Sequence, residues 1–167
     1  MSIKLLLKNY IKAFCRQIVP GGEPLYIPVQ PLPDKPINEC FAIVPEHIAS
    51  HGGKQLIGWN IREWKRVLIE AEFHAVWQRP DGTIVDITPK DTSRILFLPD
   101  PSRKYTGISV DNIRKPLRKD PRIRRFCDLG HERFLELNKG DLADKYGEIF
   151  LKDLPPDNTF ANYGELK

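Results

Sequence analysis

Residues 70–89 read EAEFHAVWQRPDGTIVDITP, and their pattern decides the fold. From Val67 to Trp77 the side chains alternate: Val67, Ile69, Ala71, Phe73, Ala75 and Trp77 make one apolar face, the core side of a strand. Glu70, Glu72 and His74 fall on the other face, with Leu68 and Val76. Pro80-Asp81-Gly82 then supplies turn chemistry: proline fixes φ for a type I turn, and glycine allows the positive φ of the bulge that follows. Such a three-residue loop pairs Arg79 with Thr83, which sets Val76 opposite Asp86 and His74 opposite Thr88. Asp86 then shares the His74 face, one diagonal step away at roughly 7 Å between backbones. A two-residue Asp-Gly turn would pair His74 with Pro89 and turn Asp86 to the opposite face. Pro80 favours the longer loop, and with it a His–carboxylate pair on one sheet face.

Upstream, residues 38–53 read NECFAIVPEHIASHGG. Asn38 is a good N-cap and Gly52-Gly53 a helix stop, which places Cys40 in the first helical turn. There the positive end of the helix dipole favours an anion. Pro45 implies a kink, or a helix that begins at Pro45 and leaves Cys40 in the preceding loop. If the sheet packs on this helix, the thiol meets His74. Thiol, imidazole and carboxylate are the parts of an acyl-transfer triad: Cys40 as nucleophile, His74 as base, Asp86 as its orienter. An oxyanion needs two donors. The backbone N–H of Cys40 is one, and the side-chain amide of Gln30 or Asn38 is the other, with Gln30 preferred. Glu72 and Trp59 are further substrate-contact candidates, whereas Glu70 reads as solvent-face polarity and Trp77 as structural. Taken singly, each of these residues has a plainer role: an inert buried cysteine, a polar-face histidine, an aspartate capping a turn.

The remaining elements follow from breakers and periodicity. A chain of 167 residues with 41% hydrophobic residues suits one globular domain with a real core. Residues 1–20 form an amphipathic helix, with Lys4, Lys8, Lys12 and Arg16 on one side and Leu7, Tyr10, Ile11, Phe14 and Ile18 on another. Residues 23–112 hold the Cys40 helix and an antiparallel sheet with strands near 55–61, 67–78, 83–88 and 94–98; residues 25–29 fall short of a strand. Residues 113–154 form a basic helical part, with helices near 121–138 and 141–152, and residues 155–167 an irregular tail. The fold class is α+β: a central antiparallel sheet, a Cys-bearing helix packed on it, and additional N- and C-terminal helices.

Lysines interrupt every apolar run of the N-terminus, so it does not read as a secretion signal, and no window reaches the roughly 18 apolar residues of a membrane span. Three cysteines with no framework spacing point to a reducing compartment, and a cytoplasmic location is expected. The first helix docks on the body of the protein; contact with a membrane surface is its lesser reading. Within residues 114–125, RKPLRKDPRIRR, Arg114, Lys115, Arg118, Lys119, Arg122, Arg124 and Arg125 face the single Asp120. Such a patch meets phosphates in some proteins, yet no aromatic residue interleaves to stack on bases, so nucleic acid is the lesser reading here too.

The order of a helix-start Cys, a strand His and a strand Asp resembles the papain-like and transglutaminase-like superfamily. More narrowly, ECF (39–41), HGG (51–53), GWNI (58–61), EAEFHAVW (70–77), DGTIVDITP (81–89) and RILFLPDP (94–101) resemble a bacterial and phage domain often found beside SEC-C zinc-chelating motifs. The similarity spans roughly residues 38–118. It implies Cys40, His74 and Asp86 as the triad positions. No SEC-C cysteine cluster is present, so the metal function of that name is not carried over, and no motif calls for a cofactor. The expected function is a thiol-dependent peptidase, amidase, deamidase or acyl transferase acting on a peptide, protein or small amide. One rival is a non-enzymatic binding or regulatory module using the basic C-terminal half. Another is a zinc site at Cys40, His74 and Asp86, with Glu72 or His47 as a further ligand. Cys127 and His131, four apart on a helix, make at most half a site.

Overall fold

The computed structural model describes residues 7–137. In chain order it holds α1 (Asn9–Ile18), β1 (Leu25–Pro28), α2 (Cys40–His51), β2 (Lys54–Trp64), β3 (Leu68–Gln78), β4 (Ile84–Val85), β5 (Arg94–Pro99), β6 (Ile113–Pro116) and α3 (Pro121–Leu137). The strands form one sheet in the order β1-β5-β2-β3-β4, with β6 also paired to β3. All strand pairs are antiparallel. A parallel bridge between Val29 and Asp86 brings β4 back to β1, so the sheet is nearly closed. The architecture is α+β.

The long β2–β3 hairpin, in register from Lys54↔Gln78 to Trp64↔Leu68, is the spine. On the far side of β3, β4 covers Trp77 and Gln78, and β6 covers Leu68–Ala71. Residues 72–76 therefore carry no strand partner on that edge, and α2 packs there. The Pro-Asp-Gly turn has the expected form: Arg79 N–H donates to Thr83 O at 2.8 Å, and Gly82 takes φ +90°.

Curling buries both faces of β3. Outside, α1 lays Phe14 and Cys15 on Trp59, Ile69 and Leu98, while α2 lays Ile43 and Val44 on Ala75, Trp77 and Val85. Inside lie Ile27, Val76, Ile95 and Phe97. The face that alternation marks as polar is thus interior, because closure by β1 and β5 is a long-range event. Gly58 stands opposite His74 in the register, where the neighbouring strand comes very close. A Cβ at Gly58 would run into the Leu98 carbonyl and reach Phe97 Cζ at 2.8 Å. Gly58→Ala is expected to cost roughly 1–3 kcal/mol, read as a lower urea midpoint at unchanged m-value.

Several expectations are corrected. β1 is a full strand, paired to β5 from Leu25↔Phe97 to Pro28↔Arg94. The segment from 113 opens with a strand, β6, before α3 begins. Asn38 is not the helix cap: Glu39 holds the N-cap position with no side-chain hydrogen bond, and Asn38 sits before it at φ 61°. α2 runs unbroken from Cys40 through Pro45. The helix expected near 141–152 and the tail from 155 lie outside the described residues.

Candidate active site

Cys40 is the first residue of α2, so its backbone N–H has no intrahelical acceptor. The next residue locks the helix start in place. The Phe41 ring stacks on Tyr105 at 4.0 Å between centroids and leans on Phe73 of β3 at 5.1 Å. Cys40 is 5% exposed and packs in the cluster of Ile43, Val44, Ala75 and Trp77. His74, 1% exposed, points into the curled sheet from the unpartnered stretch of β3.

Asp86 is completely buried. The His74 Nε2–H donates to its Oδ2 at 2.8 Å, and the Thr88 N–H donates to its Oδ1 at 3.0 Å. Lys90 Nζ lies 3.9 Å from the same Oδ2. The Asp86 backbone is also engaged: its N–H donates to Pro28 O at 3.0 Å, and its carbonyl accepts from Gln30 N–H at 2.8 Å. Both oxygens of the carboxylate and both backbone groups therefore have partners, and the side chain has one geometry open to it.

Burial alone would push the His74 imidazole toward its neutral form. The hydrogen bond to Asp86 and then the hydrogen bond to the Cys40 sulfur outweigh it, and the pKa is pushed up to about 9. His74 is thus an imidazolium at neutral pH, held between a carboxylate and a sulfur. Burial pushes the Cys15 thiol up to about 12 and the Cys127 thiol up to about 11.

No protein-family model, curated protein or solved structure matches this chain.

A cavity of about 830 Å³ is lined in part by residues close in sequence to these three. Its wall includes Asn38, two residues before Cys40; Glu72, two before His74; and Pro89 and Lys90, just after Asp86. Cys40, His74 and Asp86 are not themselves in that wall. The cavity is of the size that holds a peptide segment or a small molecule.

The other candidates fare unevenly. Glu72 lines the cavity and is paired with Arg62 at 2.9 Å. Arg62 also binds Glu70 at 2.7 Å, and Arg114 approaches Glu70 at 3.4 Å, so Glu70 belongs to an ion network rather than a free solvent face. Gln30 is exposed, and its amide oxygen accepts from Arg79; among the described contacts none joins it to Cys40 or His74. Trp59 is fully buried in the α1-side core with its Nε1–H donated to Asp100 at 3.0 Å, and it is not among the residues that line the cavity. Its register partner is Phe73, which points away from the His74 face. Two polar residues that the pattern did not single out are Asn60, 3% exposed on the cavity wall, and Thr88, whose buried Oγ1 has no partner among the described residues. A polar residue inside the apolar word GWNI was the available signal for Asn60. Without the strand register it could not be assigned to a face.

The zinc arrangement lacks its ligand set. Among the described residues no group of three or more His, Cys, Asp or Glu side chains is placed to hold a metal ion. Asp86 Oδ2 points at His74 Nε2 and bonds it, instead of sharing a third centre with it. His47 stacks on His51 at 4.0 Å and edges onto Trp77 at 4.4 Å. Cys127 is buried against Leu68 and Ile123, and His131 Nδ1 bonds Asp111 at 2.9 Å.

The basic run is spread over β6, a loop and the start of α3, and acidic groups from elsewhere meet it. Arg114 binds Asp111 and Glu70, Lys115 donates to Gln17, Arg118 and Arg122 pair with Asp120, and Arg125 pairs with Glu132. Arg124 also has a partner. The apolar side of α1 is spent in the core, and no described helix is long and apolar enough to cross a membrane.

Proposed function

We propose that this chain is a thiol-dependent enzyme acting on an amide or related acyl bond, with Cys40 as nucleophile, His74 as acid–base group and Asp86 as the residue that orients it. One observation carries this: a helix-start sulfur acts on a buried imidazole that is hydrogen-bonded to a buried carboxylate, near a cavity. With Nε2 committed to Asp86, Nδ1 is the nitrogen left for the thiol. Sulfur attack on the acyl carbon forms a C–S bond; the imidazolium proton goes to the departing amine as the C–N bond breaks. Water, giving its proton to the now neutral imidazole, then splits the thioester to a carboxylic acid and frees the thiol. An acceptor amine in place of water gives acyl transfer. The arrangement supports the papain-like and transglutaminase-like relation as the fold's expected kin, with peptides, proteins or small amides as the substrate class and the cytoplasm as the expected location. The binding module is the rival: it keeps the fold and leaves Cys40 inert.

Alkylation separates the two. At pH 6–7, iodoacetamide is expected to modify Cys40 first, followed by peptide mass. The pKa values near 12 and 11 leave Cys15 and Cys127 with thiolate fractions of roughly 10⁻⁵ and 10⁻⁴ at pH 7. Slow, equal labelling of all three cysteines would favour the binding module.

A further inference from the structure

We propose that Asn60 is a catalytic residue that donates its side-chain N–H to the acyl oxygen of the substrate. This rests on the thiol-enzyme reading of Cys40 and His74 and assigns the missing oxyanion donor within it. On β2, Gly58 is the register partner of His74 and Asn60 that of Glu72. Residues directly opposite in an antiparallel pair share a face, so Asn60 lies on the His74 face, one diagonal step from the imidazole. It is 3% exposed and lines the cavity, and its amide makes none of the hydrogen bonds described among residues 7–137. Unlike Gln55 Nε2 and Thr88 Oγ1, its amide atoms are not sealed away without a partner, so a group bound in the cavity can reach them.

Of the candidates read from sequence, Asn38 lines the same cavity, whereas two others are engaged elsewhere. Gln30 gives its amide oxygen to Arg79 on the exposed side, and Trp59 gives its indole N–H to Asp100 in the core. The Cys40 backbone N–H, at the head of α2, is the second donor. When sulfur attacks, the carbonyl π electrons move to oxygen; the Asn60 and Cys40 N–H groups hold that oxyanion until it re-forms the carbonyl and expels the leaving group.

The two chemistries of the thiol give the test. Iodoacetamide alkylation displaces iodide and develops no oxyanion, whereas acylation by p-nitrophenyl acetate passes through one. Rates for both are measured on the full chain by p-nitrophenolate release and by intact mass. Asn60→Ala and the volume-matched Asn60→Leu are each expected to slow acylation of Cys40 ten- to several-hundredfold, with alkylation within twofold of wild type. Asn60→Ser, which keeps a donor, is expected to regain part of the loss. Unchanged acylation in both Asn60→Ala and Asn60→Leu would overturn the assignment, as would equal slowing of both reactions, which marks a structural role. Wild-type alkylation of Cys40 no faster than that of Cys15 and Cys127 would remove the thiol-enzyme reading, and the assignment with it.

Discussion

Replacing His74 with alanine is expected to slow alkylation of Cys40 at pH 6 by two to four orders of magnitude, the range a positioned acid–base group supplies. In the wild type the His74 imidazole, raised to a pKa of about 9, has Asp86 hydrogen-bonded behind it. In the proposed enzyme this imidazole is the base partner that activates the thiol. Without it, Cys40 keeps only the helix start for support, and reactivity at pH 6 should fall toward that of an unassisted thiol. The check is a pH series from 5 to 10, with Cys40 followed by peptide mass in wild type and in His74→Ala. The two profiles should converge at the alkaline end, where every accessible thiol ionises. Parallel profiles of equal height would mean that the imidazole does nothing for the sulfur.

Asp86→Ala should produce the largest loss of stability, roughly 3–5 kcal/mol at pH 6, because it strands a buried imidazolium without its counter-charge. Asp86→Asn keeps the shape and the acceptor for the Thr88 N–H and should cost less. The pH dependence gives a second reading of the same bond. His74 has a folded pKa of about 9 against an unfolded value near 6.5, so the folded protein holds the proton more tightly. Its contribution is complete below about pH 6.5, declines as pH rises, and is gone above about pH 9; it amounts to roughly 3 kcal/mol. Urea titrations of the wild type should show stability falling across that window. In Asp86→Asn the fall should shrink, since the hydrogen bond that most raises the imidazole pKa has lost its charge. An unchanged slope would show that another group governs the titration.

The hairpin was legible because its information is local. Proline, aspartate and glycine in the turn fix the register, and the register puts Asp86 on the His74 face. The α3 helix was legible from the same kind of signal. Non-local elements were not. β1 is flanked and ended by prolines and becomes a strand through its pairing with β5, some seventy residues away in sequence. β6 lies in a run of cations that reads as exposed helix, and Glu70 and Gln17, from distant segments, together with the nearby Asp111, make a half-buried strand of it. Burial of His74 was equally hidden: alternation marks its face as polar, and only the curl of the sheet encloses it. Asn60 was hidden for a related reason: chain distance from Cys40 favoured Gln30, while the β2–β3 register that puts Asn60 on the His74 face comes from another part of the chain.

The bridge between Val29 and Asp86 brings the sheet close to closure, and it also bears on where Cys40 can stand. The Asp86 main chain clasps Pro28 and Gln30, and from Gln30 the chain reaches Cys40 through a tether containing Pro31, Pro33 and Pro36. Proline restricts its own φ and the residue before it, so this span has little slack. The Asp86 side chain holds His74 while its backbone anchors the segment that leads to Cys40. In the proposed enzyme, a displacement of Asp86 should therefore carry base and nucleophile together, leaving their mutual alignment tolerant of motion in the loops around them.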